Sequence, residues 1–584
     1  MTKYFEVTHR NGAARLGKLR FPTPRMTPSF CDDFIHNSGS LWANEQEIPS
    51  PPPLDNLLIL PHRGVPPGAG NLLEEAFFVK PPDVDCPTAA VISPKMASDL
   101  STDAYILSTA PYSTGSPQKF CNDIIKTRSS TPPDSALYLP GFATPQNLSF
   151  LIYMGIDLFD TTRAFLLGLQ GKYLLPTGEY LLENLEDLPC NCSTCSVSID
   201  DFTNELCAAH NVGILQNELS LIVHIIKSNN LRDHLEGRVR HNTWLTSALR
   251  YLDSQNDYLE QRTPIARKEG FISTTDDSLN RPEIHRFQQR LIKRYETRFK
   301  LPLILVPCSA KKPYSKSKSH RFLHQSIRFR GHKVSISSPL GIVPQELELT
   351  YPAQHYDTAL TGDWSPTEIQ RISNLLSQFL KLNNYSKIIA HVPPGGYMDI
   401  VKLATTDYGN PIEYTVKDHA LSPDSLKNLD GALSEESPYS RHERMLYQAQ
   451  AIADYQFGKG VGNLLFENCT LKGKFFARRI FDHNNDQIAT LLPEYGIFSL
   501  TLQGANKLQN SKFGMPTVMI NDFVPRGSVL APGIVSASDT IRPGDEVFVQ
   551  GPLALAVGRA IMSGPEMEQS SRGVAIDIRH VQKF

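Results

Sequence analysis

The chain has 584 residues, more than one hydrophobic core can organise, and ordinary domain sizes predict roughly three to five domains. Its 40% apolar and 20% charged residues are typical of a globular protein, and no apolar run approaches the roughly 20 residues of a membrane span. The formal net charge of −2 argues against a generic polyanion binder, and the polar N-terminus predicts a cytoplasmic protein.

The first part of the chain, residues 1–255, alternates short apolar runs with helical stretches. An apolar run at 136–142 is followed by a helical stretch at 145–154 and a second apolar run at 155–160. This alternation is typical of βα units. Residues 256–280 are polar and aperiodic, which predicts a linker before the next domain.

Three cysteines and one histidine in the first part have the spacing of a metal site. Cys190, Cys192 and Cys195 occupy six residues, and His210 follows. Three thiolates and one imidazole are the ligands that close a tetrahedral structural zinc site, so we expect bound Zn²⁺. His224 is a rival fourth ligand, although its helical surroundings favour packed core, and free thiols near a turn are the alternative to a metal site.

The second part, residues 281–425, predicts a Rossmann-like α/β domain. Apolar residues recur at helical spacing from Phe287 to Phe299, and an apolar run at 301–307 predicts a buried strand. Ser365, Pro366 and Glu368 form a capping box that predicts a helix ending near Leu382. A second strand and a glycine-containing loop follow.

A cluster of reactive side chains comes directly after the first of these strands, where open α/β sheets carry their chemistry. It combines a thiol, ammonium groups, hydroxyls and an imidazole, which predicts a catalytic site. The candidate catalytic residues are Cys308, Ser309, Lys311, Lys312, Tyr314, Ser315 and His320. His320 is either a proton shuttle or a cap of the next helix.

Basic residues are concentrated around this motif. Between His285 and Lys333 there are fourteen Lys and Arg residues and one acid, Glu296. The cluster predicts a phosphate-contacting surface, with a solvated helix face as the alternative. Further along the chain, residues 435–510 predict a small α+β domain, and the strand-rich residues 511–584 predict a small β-barrel.

The first part of the chain resembles tRNA-guanine transglycosylases. The cysteine pattern followed by His210 and Asn211, the segment 14–17 and the segments 139–147 and 155–160 carry the resemblance. It implies a TIM-barrel domain that exchanges a base in tRNA, with Asp160 as the nucleophile that attacks the ribose. The family's Asp-Ser-Gly motif is missing, and Thr102-Asp103 is only a weak substitute, so Asp160 is either active or a vestige that anchors a loop.

The motif at 307–320 resembles the core signature of archaeosine synthases. That resemblance implies a tRNA substrate bearing 7-cyano-7-deazaguanine in its D-arm, and a reaction at the nitrile. Lysine, or otherwise a glutamine-derived nitrogen, would add to give an amidine, which a radical-SAM partner enzyme would convert to archaeosine. Cys308 could attack the nitrile as a thiolate. Candidate groups that hold the donor's charges are Glu346, Glu348 and Asp363.

The C-terminal residues resemble PUA domains, which bind structured RNA, and we expect Arg526 and Arg559 to contact it. The segment 451–458 resembles the small domain that precedes PUA in archaeal transglycosylases. Related transglycosylases pair through their zinc regions, which makes a homodimer an expectation here.

Three functions compete on these observations. The first is an amidine-forming transferase that acts through Cys308. The second is a base-exchanging transglycosylase that acts through Asp160, which the missing Asp-Ser-Gly motif disfavours. The third is a non-catalytic tRNA-binding factor, which the intact motif at 307–320 disfavours.

Overall fold

The structure is a computed structural model, and it describes residues 4–37, 48, 50–61, 84–92, 101–108, 110–359, 362–474 and 477–584. The chain divides into two units, the first made of residues 1–263, 530–534 and 562–575 and the second of residues 264–529, 535–561 and 576–584. Among the described helices, none combines the length and apolarity that crossing a bilayer requires.

The first unit contains a parallel sheet that curls back on itself. Its strand order is β4-β10-β9-β8-β7-β6-β5, and every pair is parallel. The two end strands are only four residues apart in the chain, from Cys31 to Phe34. Cys31 N–H, just after β4, donates to the Phe159 carbonyl of β10, while Leu57 N–H of β6 donates to the Phe34 carbonyl just before β5. This closure agrees with the predicted barrel-like fold.

The first unit also contains a small antiparallel sheet, β1-β2-β3, and a hairpin, β11-β12, that lies beside the cysteines. Their bounds are Phe5–Asn11, Ala14–Leu19, Arg25–Thr27, Ser29–Phe30, Ile35–Asn37, Leu57–Ile59, Thr88–Ile92, Ala104–Leu107, Ala136–Tyr138, Leu158–Phe159, Lys172–Leu175 and Gly178–Leu181, for β1 to β12 in order.

Helices α1 to α7 pack around the parallel sheet, with the helix predicted at 145–154 observed as α2. Their bounds are Pro117–Ser130, Leu148–Tyr153, Thr162–Leu169, Asn204–Lys227, Leu231–Arg238, Thr243–Ser254 and Asn256–Arg262. The prediction of an aperiodic linker at 256–280 is wrong. That stretch contains α7 and strand β13, Phe271–Ser273, which is too short to show a periodic pattern and pairs with β17, Tyr356–Thr358.

The second unit contains the α/β sheet expected for a Rossmann-like domain. Its order is β16-β15-β14-β18-β19, in which β16 is antiparallel to β15 and the other pairs are parallel. The strands β14, β15, β16, β18 and β19 are Leu303–Pro307, His332–Ser337, Gly341–Pro344, Ile388–Ala390 and Ile412–Tyr414. Because β15 lies on one side of β14 and β18 on the other, the carboxyl ends of β14 and β18 flank the point where the strand order reverses.

Helices α8 to α12 accompany this sheet at Pro282–Lys293, Lys318–Ile327, Pro366–Leu382, Gly396–Ala404 and Pro423–Ala432. The predicted capping box is present in α10, where the Ser365 hydroxyl accepts the Glu368 N–H and the Glu368 carboxylate accepts the Ser365 N–H. The two reciprocal bonds explain why this helix begins where the sequence indicates.

The remaining residues form two further sheets. A four-stranded antiparallel sheet, β20-β21-β22-β23, lies with α13 to α15, and a six-stranded sheet has the order β25-β29-β28-β27-β24-β26. The strands β20 to β29 are Thr470–Lys474, Ala477–Phe481, Gln487–Leu492, Ile497–Leu500, Thr517–Ile520, Ser528–Leu530, Ile534–Ala537, Glu546–Gln550, Ala554–Ala560 and Val574–Lys583. Helices α13 to α16 are Arg441–Phe457, Val461–Phe466, Leu502–Gln509 and Gly564–Gln569.

Candidate functional site

The Cys308 thiol lies at the switch point of the α/β sheet. Cys308 directly follows β14, and its N–H donates to the Ile336 carbonyl of β15 at 3.1 Å. Its Sγ lies 3.3 Å from the hydroxyl of Tyr397, which is in the first turn of α11, the helix that follows β18. Burial, followed by the neighbouring thiol, raises the pKa of Tyr397, so this phenol stays protonated. The sheet therefore brings a thiol and a hydroxyl from two strand ends to one place.

Sequence reasoning missed Tyr397, although its position after an apolar strand and a glycine pair could have indicated it. Gly395 has a φ of 93°, a conformation that favours glycine. A Cβ on Gly396 would lie 2.3 Å from the Trp364 ring. The two glycines therefore let the chain turn and approach Trp364, whose ring packs edge-on against Tyr397 at 4.8 Å.

Lys312 is a buried amine beside the thiol. Its Nζ is shielded from solvent, has no hydrogen-bond partner among the residues that the structure describes, and lies 3.9 Å from the centre of the Tyr356 ring. Burial lowers the pKa of Lys312, and the charges of Cys308 and Asp357 oppose that shift. Its neighbour Lys311 is exposed and Ser309 is half-buried. Of the two lysines in the motif, only Lys312 has the setting of a reactive group.

Tyr314 and Ser315 belong to the wall of the site. The Tyr314 hydroxyl lies 2.6 Å from the Tyr356 hydroxyl, which also bonds to Ser337. Ser315 donates its N–H to Glu348 at 3.1 Å, and its buried hydroxyl has no hydrogen-bond partner in the described part of the chain. These contacts hold the middle of the motif against Tyr356 and Glu348.

His320 connects the motif to the strand beneath it. The cap of α9 is the Ser317 hydroxyl, which accepts the His320 N–H, so the imidazole is not the helix cap. The ring instead lies 3.1 Å from the Pro307 carbonyl through Nε2 and 3.3 Å from the Lys333 ammonium through Nδ1. Burial, followed by the Lys333 charge, holds the pKa of His320 well below its usual range. His320 is therefore neutral at pH 7, with Nε2 as donor and Nδ1 as acceptor.

The three candidate acids have different surroundings. Glu346 is buried, and its two oxygens accept from Tyr295 at 2.8 Å and from His332 at 2.9 Å. Glu348 is also buried, with the Ser315 amide as its hydrogen-bond donor. Asp363 is exposed. Since both oxygens of Glu346 already have partners within the protein, Glu348 is better able than Glu346 to accept a further donor, and its charge also acts on the buried Lys333 ammonium.

Both carboxylate oxygens of Asp160 accept hydrogen bonds from the protein. One oxygen accepts from the Tyr138 hydroxyl at 2.9 Å and the Gly141 N–H at 2.6 Å, and the other accepts from the Thr162 N–H at 2.9 Å. Asp103 similarly accepts the N–H groups of Tyr4 and Thr88. Both aspartates thus hold loops and strand ends together.

The predicted metal ligands lie together in the first unit. One ligand atom from each of Cys190, Cys192, Cys195 and His210 falls within 4.8 Å of the others. His210 Nδ1 faces the sulfurs of Cys192 and Cys195 at 3.5 and 3.2 Å, while Nε2 lies 3.1 Å from the Leu174 carbonyl. This bond orients the ring as it does in metal sites. The four side chains can therefore hold a metal ion, which makes His224, exposed on the same helix, the wrong choice.

Tyr173, which sequence reasoning missed, and Asn211 support this cluster. The Tyr173 ring stacks on His210 at 3.9 Å, and its hydroxyl lies 3.3 Å from Cys195 Sγ. The Asn211 side chain bonds to the backbone of Ala164, Lys172 and Leu174. The neighbour of the ligand histidine therefore ties α4 to the hairpin that carries Tyr173.

The basic cluster at 285–333 is not one continuous surface. Arg286, Arg290 and Lys333 are buried. Arg298 pairs with Asp454 at 2.6 Å, and Arg294 donates to backbone carbonyls of α13. The prediction of one phosphate-contacting patch is wrong in extent, because about half of the fourteen basic side chains are buried or partly buried within the protein. The exposed members are Lys293, Lys300, Lys311, Lys316, Lys318, Arg321 and Arg328.

The two candidate RNA contacts near the C-terminus also differ. Arg526 is exposed. Arg559 donates to the Ala266 carbonyl at 3.2 Å, and its guanidinium lies 4.1 Å from the centre of the Tyr495 ring. Arg559 is therefore tied to the protein, whereas Arg526 faces solvent.

Four family models match the chain. They are described as Queuine tRNA-ribosyltransferase over residues 91–243, Domain of unknown function (DUF5591) over 284–433, Patch-forming domain C2 of tRNA-guanine transglycosylase over 447–512 and PUA domain over 520–582. The second of these spans the Cys308 site. The transglycosylase-like and PUA-type parts expected from the sequence are thus confirmed.

Curated relatives match along the entire chain. A protein of Haloferax volcanii named archaeosine synthase is 45% identical, with 100% of both chains covered. A protein of Methanosarcina acetivorans named archaeosine synthase subunit alpha is 38% identical, again with 100% of both covered. A Methanocaldococcus jannaschii archaeosine synthase is 30% identical over 79% of this chain and 76% of its own. The chain therefore belongs to the archaeosine synthase family of tRNA-modifying enzymes.

Proposed function

We propose that the chain joins an amine donor to the nitrile of 7-cyano-7-deazaguanine in tRNA, with Cys308 as the nucleophile. The observation that carries this proposal is the 3.3 Å approach of Cys308 and Tyr397 at the switch point of the α/β sheet, with the Lys312 amine near enough for its charge to interact with Cys308. A nitrile carbon needs a strong nucleophile and a proton for its nitrogen, and these side chains supply both.

The reaction proceeds in two additions. The Cys308 thiolate adds to the nitrile carbon, and a proton reaches the nitrile nitrogen to give a thioimidate. The donor amine then adds to the same carbon, the C–S bond breaks, and the amidine forms as the thiol is restored. Tyr397, 3.3 Å from the sulfur, is the hydrogen-bond donor that steadies the thiolate.

Lys312 is the proton carrier in this scheme. Among the described residues its buried amine has no hydrogen-bond partner, and burial lowers its pKa, which makes loss of its proton easier. It gives a proton to the nitrile nitrogen in the first addition and accepts one from the donor amine in the second. His320 positions the motif through the Pro307 carbonyl.

The donor is an amino acid, and we propose lysine, with a glutamine-derived nitrogen as the alternative. The test is mass spectrometry of nucleosides from tRNA that contains 7-cyano-7-deazaguanine, incubated with the full chain and either lysine or glutamine. We expect a mass gain equal to one lysine. An unchanged nitrile with both donors would overturn the proposal, and a gain with glutamine alone would replace the donor.

Base exchange through Asp160 is the less favoured function. A nucleophilic carboxylate must reach the ribose carbon, whereas both Asp160 oxygens accept hydrogen bonds from Tyr138, Gly141 and Thr162. The non-catalytic alternative is disfavoured by the unpartnered Lys312 amine, since an unsatisfied buried polar group costs stability and persists where function requires it.

The cluster of three cysteines and His210 would hold Zn²⁺ in a structural role. Its donors are those that zinc prefers, and all four positions of a tetrahedral ion would be filled by the protein. An ion there would fasten α4, which carries His210, to the cysteine segment 190–195.

A homodimer would form through the surface beside this cluster. Helix α3 and the hairpin carry large apolar side chains that are more than a third exposed, namely Phe165, Leu166, Leu169, Tyr180 and Leu181. Such a concentration of exposed apolar residues is typical of an interaction surface. The mass of the purified chain in solution tests this.

The PUA-type residues would bind tRNA, with Arg526 as an exposed contact. A radical-SAM partner enzyme would then convert the amidine to archaeosine. The name of the Methanosarcina acetivorans relative, a subunit alpha, supports a partner of this kind. Co-purification of the full chain with a radical-SAM protein tests that association.

A further inference from the structure

Helix α9, which follows the Cys308 motif, has a buried face and an exposed face with different chemistry. The buried face packs against residues of β14 and α12 and carries His320, Leu323 and Ile327. The exposed side chains recur at helical spacing on the opposite side of the helix. We call them the α9 surface, and they are Lys318, Arg321, Phe322 and Gln325.

The α9 surface belongs to a segment with positive charge alone. The chain from Cys308 to Phe329 contains six Lys and Arg residues and no Asp or Glu. The Arg321 side chain donates through Nε to the Ser317 carbonyl at 3.4 Å. This bond holds the guanidinium beside the first turn of the helix, which is where Lys318 lies. Two cations therefore face solvent next to each other.

An acidic residue of α12 acts at the other end of α9. Asp430 forms ion pairs with Arg330 and Arg328, which follow the last turn of the helix. Arg328 is therefore partly neutralised and is not counted in the α9 surface. Neither Lys318 nor Arg321 forms an ion pair with any residue that the structure describes. Their charges are consequently available to an anionic partner.

Phe322 adds an aromatic ring to this charged surface. Its side chain is 41% exposed, with Lys318 one turn earlier and Gln325 one turn later on the same face. A single exposed apolar residue is common in proteins. An aromatic ring among cations, however, is the combination that binds unpaired nucleotides, because the ring stacks on a base while the cations contact phosphates.

The same helix is connected to the reactive loop. The ring of His320, on the buried face of α9, lies 3.1 Å from the carbonyl of Pro307, the residue before Cys308. One face of α9 thus supports the loop that carries the thiol, and the other face presents cations to solvent. A tRNA whose modified base reaches Cys308 therefore brings its backbone near this helix, and an acidic protein has no such reason to bind there.

We propose that the α9 surface binds the tRNA substrate beside the Cys308 site, with Lys318 and Arg321 at neighbouring phosphates and Phe322 stacked on an unpaired base. This inference rests on the proposed function, and it adds an RNA contact outside the PUA-type residues. The phosphate contacts position the RNA, and stacking on an unpaired base favours a looped arm over a continuous duplex.

The experiment is filter binding of tRNA that contains 7-cyano-7-deazaguanine to the full chain, over a salt series and without amine donor. Lys318→Gln and Arg321→Gln should each weaken binding and reduce the slope of its salt dependence by about one, because each variant loses a phosphate contact. Phe322→Ala should weaken binding at least about fivefold with an unchanged slope, because stacking releases no counterions.

Two exposed residues of α10 provide matched controls. Lys381→Gln removes a charge and Leu382→Ala removes an apolar side chain, and both variants should bind tRNA as tightly as the unaltered chain. All the substituted positions are exposed, so thermal melting should show an intact fold. Control-like binding by both charge variants would overturn the proposal and leave an acidic protein as the partner, and control-like binding by Phe322→Ala would also overturn it. Cys308→Ala should bind tRNA with full affinity, so failure of the nitrile chemistry is distinguishable from failure of this surface.

Discussion

The Cys308 sulfur and the Tyr397 hydroxyl lie 3.3 Å apart although 89 residues separate them in the chain. Each follows a parallel strand, and the two strands are neighbours in the sheet. The pair therefore depends on the order of the strands. It also makes the phenol the side chain best placed to stabilise a thiolate in the proposed reaction.

Removal of either group tests the covalent route. We expect Cys308→Ala to lower turnover of nitrile-containing tRNA roughly a thousandfold or more, because the nucleophile is lost. Tyr397→Phe should lower it roughly 100-fold, because the thiolate loses a hydrogen bond. Single-turnover mass spectrometry measures both. Full activity of Cys308→Ala would show that the amine adds directly to the nitrile.

The two lysines of the motif should differ sharply. Lys312→Met removes the buried amine over the Tyr356 ring and should lower turnover roughly 100-fold with little change in tRNA affinity. Lys311→Met alters an exposed side chain and should reduce turnover far less. Steady-state rates with nitrile-containing tRNA measure the contrast. Equal effects of the two substitutions would contradict the role given to Lys312.

Asp160→Asn should act on stability. The substitution places an amide among three donors, so at least one hydrogen bond is lost and the free energy of unfolding should fall by about 1–3 kcal/mol. The urea unfolding transition of the first unit measures this change in the free energy of unfolding. Amidine formation should persist in the variant. Loss of a measurable base-exchange activity in this variant would instead identify Asp160 as a nucleophile.

Metal content tests the cysteine cluster. The purified chain should carry about one zinc ion, and Cys195→Ser should lose it and melt at lower temperature, because the ion would link α4 to the cysteine segment 190–195. His224→Ala is the matched control and should retain the metal, since His224 is exposed. Elemental analysis measures the zinc content of each variant, and thermal melting measures its stability. Zinc retention by Cys195→Ser and His210→Ala together would exclude these ligands.

Acidification should destabilise the second unit through His324. Burial, then the charges of Lys333 and Arg444, lowers the pKa of His324 to about 4. Between the usual pKa of about 6.5 and this value the unfolded chain binds more protons, so the free energy of unfolding falls as pH falls through that range. The loss is about 2 kcal/mol after allowance for solvent screening of this half-buried ring.

Denaturant midpoints measured near neutral pH and at about pH 5 give this dependence. His324→Gln should flatten it, whereas His442→Gln, at an exposed position on α13, should leave it unchanged. An equally steep pH dependence in His324→Gln would assign the effect to other groups, of which His320 is the first, because its pKa is also lowered by burial.

Substitutions of the two C-terminal arginines should have different effects, one on tRNA binding and the other on stability. Arg526→Gln removes an exposed charge, so tRNA affinity should fall and the slope of its salt dependence should decrease by about one. Arg559→Gln removes contacts with Ala266 and Tyr495 and should lower the melting temperature. Filter binding over a salt series and thermal melting distinguish them. Unchanged affinity in Arg526→Gln would move the RNA contact elsewhere.

The sequence by itself determined features that are local in the chain. The cysteine cluster spans 21 residues from Cys190 to His210, so its spacing already constrains its geometry. The capping box at Ser365 and the position of the reactive motif after a buried strand are equally local. Periodicity was strong enough to indicate the parallel sheets, but the three-residue strand at Phe271 left no pattern to detect.

Only the tertiary structure decided which of these residues are available for chemistry. Lys311 and Lys312 are neighbours in the chain, yet packing against Tyr356 buries only one amine. Glu346 and Glu348 look alike in sequence, yet only Glu346 forms a hydrogen bond with His332. Burial and pairing between residues far apart in the chain set pKa values and free hydrogen-bonding capacity, and local sequence does not contain that information.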